Sequence, residues 1–467
     1  MNALLSPSPS IAASQTERLQ QALTAFTAAG MACHTDTATL RSKSRDYYWY
    51  SPVLTELLDG KIAELVVQPK NTDELRQIAA LSARLRLPVT LRGGGTGNYG
   101  QCVPMEGGIV IETLHLNAIK IHPESLSATV QTGCIIEAIE IAARAQGLEI
   151  LMFPSTLREA TIGGFVAGGF GGVGSIRHGV LKDAGNISRI QVMTLEETPQ
   201  IIELQGSEIQ KVHHAFGTNG IITEIDMRLA PAQDWRHVIA LFDSYEATLA
   251  FGLAAMRPDV PLRLLTSVAR DFAPYYGAFG AHFPAHKDAI FALVEAGALA
   301  DFAALAADFG GQISLSMTDA EIAASGLPPA YECAYNHTTL MALKVDKSWT
   351  YMQLAFPQPF SVALAMELVH EFGAEIIWHH EFSLAYGSYG VFAIPLVAFL
   401  DAERLNEIKE RIEALGVGVF DAHVITIEDG GMKTIDTAQI DFKKIADPHG
   451  LMNPGKTRGW LAEYAAP

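Results

Sequence analysis

Cysteine is scarce in this sequence. Its four, Cys33, Cys102, Cys134 and Cys333, are scattered and form no C-x-x-C, which argues against iron–sulfur and zinc–thiolate sites. A reduced, cytoplasmic chain is the simplest reading. Basic residues are also few: 33 Lys and Arg against 51 Asp and Glu, a net charge of −18. Without Lys/Arg clusters, nucleic acid is excluded as a partner, because phosphate backbones are bound through such clusters. An anionic substrate therefore needs a local positive pocket. Long apolar runs are missing. The richest, Ala289 to Ala307, is interrupted by Glu295 and Asp301, so no transmembrane segment is expected. The opening MNALLSPSPS lacks the basic and apolar regions of a signal peptide, and Ser6 to Ser10 read as a loose tail. There is no internal repeat and no low-complexity tract.

What is present is a core. The chain has 467 residues, 49% hydrophobic and 18% charged, which fits a globular protein of two or three domains. Glu17 to Ala29 reads as a helix stopped by Gly30. Ile62 to Val67 and Pro88 to Leu91 read as strands around a helix opened by Asn71, with Glu74 completing a capping box. That order is a βαβ unit. Ile109 to Ile111 and Thr129 to Gln131 read as further strands, and Ile135 to Ala145 as a helix. Ile162 to Gly179 has no clear period and reads as folded loop. Past Pro231 the glycine loops thin out and alanine-rich helical runs alternate with strand-like ones such as Thr350 to Phe356.

Glycine carries the chemistry. Arg92-Gly93-Gly94-Gly95-Thr96-Gly97-Asn98 follows a strand directly. Glycine permits positive φ and close approach of a ligand to the main chain, and successive exposed N–H groups form a nest for phosphate oxygens. A flexible surface turn explains one such loop equally well. The second glycine region, Thr161-Ile162-Gly163-Gly164 and Gly168 to Gly174, decides between them. Apolar residues interleave its glycines, which suits backbone packed against a large flat ligand rather than disorder. Gly169 to Gly174 also match G-x-G-x-x-G literally, but that fingerprint must follow a strand and open a helix, and its neighbours do not read so.

At these residues the sequence resembles the FAD-binding oxidoreductases of the p-cresol methylhydroxylase and vanillyl-alcohol oxidase (PCMH) type. The matching motifs are Val66-Val67-x-Pro69, Arg92 to Thr96, Thr129-Val130-x-x-Gly133, Pro154-Ser155, Ala160 to Gly164, Gly179, Gly220 to Thr223 and Asp447 to Lys456. Within the family it is most similar to glycolate-oxidase-subunit-like and D-lactate-dehydrogenase-like flavoproteins. The resemblance implies an α+β fold. An FAD-binding domain would occupy 1–232 (its core about 58–232), a substrate-binding cap 233–428, and 429–467 would return to the FAD domain. It implies that Arg92 to Asn98 and Thr161 to Gly164 hold the pyrophosphate. Pro154, Ser155, Gly168, Gly171, Gly174, Ile176 and Gly179 would lie along the FAD. Ile221 would meet the adenine end, and Asn453 and Lys456 would close over the flavin side. Some members attach FAD to a histidine where this chain has Thr96, so non-covalent FAD is expected here.

The implied reaction dehydrogenates a small hydroxylated substrate, most plausibly a 2-hydroxy acid, with a base taking the hydroxyl proton while hydride goes to the flavin. Two alternatives stand beside it: oxidation of a phenolic or other non-acid alcohol, and an FAD-binding electron-transfer subunit of a larger complex. The expected proton-transfer residues are His380, His423 and Glu428, because histidine titrates near neutral pH and a carboxylate does so when buried. Arg263 offers a fork for a substrate carboxylate, although an Arg whose stem packs and whose head reaches solvent reads equally well. His337, Tyr351, His379 and Tyr386 are further substrate-side candidates. The same histidines and carboxylates read alternatively as ligands of a divalent metal, or as ordinary hydrogen-bonding groups. The electron acceptor (oxygen, quinone or a carrier protein) is not indicated, and a homodimer is expected.

Overall fold

The computed structural model describes residues 14–431 and 434–464. The loose tail expected at Ser6 to Ser10 lies outside them. The helix Gln15–Ala28 begins at Ser14, which forms a capping box with Glu17. It packs with the helix Thr72–Arg84 over a small sheet made of β1 (Ala32–His34), β2 (Leu65–Gln68), β3 (Val89–Arg92) and β4 (Ile109–Glu112), in the order β1-β2-β4-β3. β2 and β3 each lie parallel to β4, as the βαβ reading required. Asn71 caps the helix Thr72–Arg84 by accepting from Glu74 N–H (2.9 Å), but Glu74 Oε2 accepts from Lys70 N–H (2.8 Å). The reciprocal half of the box is thus one residue out of place.

A second sheet contains β5 (Ile119–His122), β6 (Ser127–Gln131), β7 (Leu148–Ile150), β8 (Ile187–Met193), β9 (Ile201–Gln205) and β10 (Ile221–Pro231), in the order β5-β6-β10-β8-β9 with β7 beside β10. Its long central strand alternates buried and half-exposed residues, the pattern of a sheet with one face on the core. The C-terminus returns to the first sheet: Met452 bridges Val89 in parallel, and Asn453 N–H donates to Val89 O (2.7 Å).

The intervening chain forms a third, eight-stranded sheet. Its strands are β11 (Trp235–Phe242), β12 (Leu262–Val268), β13 (Asp288–Glu295), β14 (Gln312–Thr318), β16 (Gln353–Ala355), β18 (His379–Ala385), β19 (Ser388–Ala393) and β21 (Gly418–Phe420). The order is β14-β11-β13-β12-β18-β19-β16-β21. β15 (Trp349–Tyr351), β17 (Ile376–Ile377) and β20 (Leu396–Ala398) form a short side sheet. The strands β11, β12 and β13 are buried almost throughout because helical segments such as Tyr245–Ala255 and Ser175–His178 pack on this sheet. No described helix is long and apolar enough to cross a membrane.

The glycine-dense segment differs from the loop expected of it. Ile162–Gly168 is a short helix capped by Thr161, whose Oγ1 accepts from Gly164 N–H (3.2 Å), and Ser175–His178 is a single helical turn. Glycine is a poor helix former, so propensity hides this helix. Tertiary contact makes it: a Cβ on Gly163 would stand 1.8 Å from Thr132 Oγ1. The literal G-x-G-x-x-G therefore follows a helix, not a strand.

Candidate active site

Two walls enclose one large cavity of about 330 Å³. The first is the pair of glycine loops. Arg92 to Asn98 leave the end of β3 and run beside the Thr161 to Gly164 turn. A Cβ on Gly94 would lie 1.9 Å from Glu159 O, and one on Gly93 would lie 2.0 Å from Thr161 Oγ1. These glycines exist so that two loops touch. Gly164 is different: a Cβ there meets only Thr161 Oγ1 at 3.0 Å, because the residue opens onto the cavity.

The loop carries donors without acceptors. None of the backbone N–H groups from Gly93 to Asn98 donates a hydrogen bond to a described residue, and Asn98 Nδ2 is buried without a described partner. Beneath the loop lies the Arg92 guanidinium, which a Cβ on Gly95 would meet at 2.1 Å. Its Nη1 donates to the carbonyls of Lys43 and Arg45. Free N–H groups over a fixed positive charge are the makings of a phosphate nest. The residues present fit a dinucleotide pyrophosphate.

Asp46 and Cys102 line the same wall, with Lys456 behind them. Burial pushes the Asp46 carboxyl up to about 6, and pushes Lys456 down to about 8 despite the nearby Asp46 charge. Asp46 Oδ2 and Lys456 Nζ make no hydrogen bond with a described residue. Lys456 thus sets charge under the loop rather than lining the cavity. Asn453 also acts from behind: its Nδ2 donates to Gln101 O (2.7 Å) and Phe216 O (2.6 Å), tying two lining segments together.

Residues 63–198 match the model of the FAD binding domain family. The chain carries a PCMH-type FAD-binding domain. Among curated relatives, the glycolate oxidase subunit GlcD of Bacillus subtilis is 31% identical over 195 residues, 39% of this chain and 41% of that one. D-lactate dehydrogenase of Archaeoglobus fulgidus is 28% identical over 213 residues, 43% and 46% of the two chains. The match thus spans less than half the length of these relatives. Among solved structures, alkyldihydroxyacetonephosphate synthase superposes with a TM-score of 0.72 at 14% identity, covering 97% of this chain and 86% of that one. Wild-type BBE-like 1 of Physcomitrella patens gives 0.66 at 12% identity, covering 96% and 99%. At such identities these likenesses speak for the fold.

Of the residues expected along the FAD, Arg92 to Asn98, Pro154, Ser155, Thr161, Gly163, Gly164, Gly168 and Gly171 line the cavity. Five others do not. Ile162 and Ile176 are buried in the cores to either side. Gly174 N–H donates to Arg263 O and Gly179 N–H to Ser175 O, which places both in turns behind the wall. Ile221 points into the core of the first sheet, and its strand neighbour Ile222, on the opposite face, lines the cavity instead.

The second wall is the cap sheet, and here most expectations move. Arg263 is buried against the FAD domain, not in the cavity. It pairs with Glu140 (3.2 Å) and Glu149 (3.7 Å), donates to Ile150 O (2.7 Å) and lies over the Phe153 ring. It fastens the third sheet to the residues of the FAD-binding domain match. His380 sits on the core face of β18, stacked on Trp378 with Nδ1 against Tyr245 OH (2.7 Å), and burial pushes it down to about 3. His423 is held between Ser51 Oγ (2.7 Å) and Tyr351 O (2.8 Å), and burial lowers its pKa. Tyr351 is wholly buried in an aromatic cluster behind the cavity lining. Glu428 accepts from Thr457 Oγ1 (2.6 Å) and Arg458 N–H (2.9 Å). Tyr386 occupies an exposed hairpin tip, its N–H held by Asp183. None of these six lines the cavity. No described group of three or more His, Cys, Asp or Glu side chains gathers as a metal-ligand set, so the alternative reading of these histidines and carboxylates as metal ligands finds no such set among the described residues.

His337 does line the cavity. Its Nδ1 is buried without a described partner, and burial, aided by the charges of Lys344 and Arg158, pushes it down to about 4. His379 stands one residue back, bonded to Glu381. The residues that sequence reasoning passed over include Asp46, Tyr50, Tyr335, Gln353 and Phe392. One signal pointed to Glu381: residues two apart on a strand share a face, so His379 and Glu381 had to point together and His380 away.

Proposed function

We propose that the protein is an FAD-dependent oxidoreductase that dehydrogenates the CH–OH group of a small substrate, a 2-hydroxy acid in the reading that its relatives support. One observation carries this. A single cavity runs from an FAD-type phosphate nest to a cap-sheet pocket of mixed apolar and hydrogen-bonding side chains. In this reading 1–232 and 429–467 hold the cofactor and 233–428 the substrate. FAD, when bound, supplies the oxidant for the carbinol carbon. The glycine loops hold its pyrophosphate, while Leu354, Phe392 and Phe420 exclude water and Asn336, His337 and Gln353 orient the substrate. With Thr96 where a histidyl link would form, the FAD is non-covalent, and acid should release all the yellow colour from the precipitated chain. Four free cysteines fit a reducing, cytoplasmic setting.

A second reading rests on charge. Arg92 is the sole Lys or Arg among the described lining residues, and its guanidinium already serves backbone carbonyls. His337 is neutral at physiological pH. A carboxylate in the cap pocket thus meets no described cation, which favours an uncharged alcohol. Anaerobic bleaching of the flavin separates the readings. Glycolate, D-lactate and benzyl alcohol would be added in turn, followed by air to report whether oxygen accepts the electrons. Bleaching by the acids supports the first reading, and bleaching by benzyl alcohol alone the second. No bleaching by any small alcohol would leave an electron-transfer subunit as the better account.

A further inference from the structure

The cap wall holds one polar side chain that is buried, faces the cavity and is only half satisfied. Glu381 is 1% exposed. Its Oε1 accepts from Tyr335 N–H (2.5 Å) and lies 2.7 Å from His379 Nε2. Its Oε2 is buried and has no described partner. Tyr335 is held for this contact in a left-handed conformation, φ +52°, which a bulky side chain rarely adopts. Its hydroxyl donates to Gly172 O (2.6 Å) and so anchors it across the cavity on the glycine side.

The hydrogen bonds of His379 determine where a proton lies. Its Nδ1 is 3.2 Å from Ile394 O. A carbonyl only accepts, so Nδ1 carries hydrogen. In a neutral ring Nε2 would then be a lone pair, pressed at 2.7 Å against a carboxylate oxygen that is already accepting from Tyr335. Two acceptors do not approach so closely without a proton between them. The pair therefore holds one proton. Since Oε1 also takes the Tyr335 N–H, the favoured form is imidazolium and carboxylate. The other titratable groups around the pair are Tyr245, Tyr276 and Tyr335, all held protonated by burial with the Glu381 charge adding to the effect, and His380, which burial and the neighbouring His379 keep neutral.

Resting on the proposed dehydrogenation, we propose that Glu381 Oε2 is the acceptor of the substrate's hydroxyl proton, with His379 as its positioning residue. The step balances. The O–H bond breaks toward Oε2 as C–OH becomes C=O, and FAD, when bound, would supply the two-electron oxidant that takes the carbinol hydrogen with its C–H electron pair. The carboxylate leaves the step as a carboxylic acid, whose proton exits to solvent before the next turnover. Oε2 suits this role because no described residue competes for it. The nearby imidazolium fixes the carboxyl plane through Oε1 alone.

The test uses the FAD-loaded full chain and two readouts. Ring-nitrogen NMR of histidine-labelled protein near neutral pH should show His379 doubly protonated in the native chain. In Glu381→Gln it should be a neutral ring, because an amide carries no charge to balance a buried imidazolium. A neutral His379 in both would overturn the shared proton. Anaerobic flavin reduction, by whichever of glycolate, D-lactate and benzyl alcohol bleaches the native protein, should slow by about a hundredfold or more in Glu381→Gln, with flavin content unchanged. Glu381→Asp should recover part of the rate. His379→Gln should slow reduction less and move the pH midpoint of the rate, which a purely structural loss would leave in place. A Glu381→Gln variant that keeps its FAD and reduces it at the native rate overturns the proposal. If no probe bleaches the native flavin, the proposed function fails instead, and the NMR result still decides the proton.

Discussion

The two walls of the cavity are built on opposite principles. The glycine wall is made of main chain: its donors are N–H groups, its close contacts are loop against loop, and its charge lies beneath, in Arg92 and Lys456. The cap wall is made of side chains projecting from a sheet, and its chemistry depends on which face of β18 each residue takes. Adding bulk to the first wall disturbs the backbone itself. A change in the second alters one functional group while the sheet stands. Cofactor binding and substrate chemistry are thus separable by mutation.

The sharpest way to break this comparison is within the glycine wall. Gly94→Val drives Cβ toward the Glu159 carbonyl, 1.9 Å away, and a backbone atom cannot step aside. Loss of soluble, FAD-loaded protein is expected. Gly164→Val meets only a side-chain oxygen at 3.0 Å, so the chain should fold with the thermal stability of the FAD-free native protein while losing FAD affinity by at least about tenfold. Flavin absorbance per chain and Tm measured on both variants check this. Equal behaviour of the two would mean that the loops do not divide into contact and cradle glycines.

Next in size is the seam between the walls. Arg263→Met leaves Glu140 and Glu149 to Arg144, which pairs with both, and the loss of one cation from this network costs about 1–3 kcal/mol. Denaturant unfolding should show that cost, while KM for acids and for neutral alcohols should shift alike. A selective rise in KM for acids would return Arg263 to the substrate.

The smallest effect is on pH dependence, and the cap contributes much of it. Burial holds His337 at about 4 and His380 at about 3, and in the FAD domain it holds His178 at about 4. Unfolded, each titrates near 6.5, so between about pH 6.5 and 4 the unfolded chain binds more protons and stability falls as pH falls. The slope is up to about 1.4 kcal/mol per pH unit for each histidine. Asp46, raised to about 6, works the other way between about pH 4 and 6 and offsets one of them. In His337→Phe the slope over that range should be shallower than in the native chain. An unchanged slope would mean that His337 is already protonated in the fold.

The glycine wall was legible in the sequence because its requirements are local. A nest needs consecutive glycines after a strand, whatever lies around it, and the motifs Arg92 to Asn98 and Thr161 to Gly164 carry that need in their own letters. The βαβ order and the returning C-terminal segment were legible for the same reason. Hydrophobic period and turn residues act within a few positions of each other. The cap chemistry was not legible. His380 and Glu381 are neighbours in sequence and opposites in space, and only the pairing of β18 with β12 and β19 decides which faces the cavity. Arg263 reads as a carboxylate fork until folding brings Glu140 and Glu149, more than a hundred residues away in sequence, against it. Sequence alone determined the two glycine loops that form one wall of the cavity. Tertiary structure decided which side chains line the other, because the direction of a side chain on a buried strand is set by sheet register and packing, which no short stretch of sequence contains.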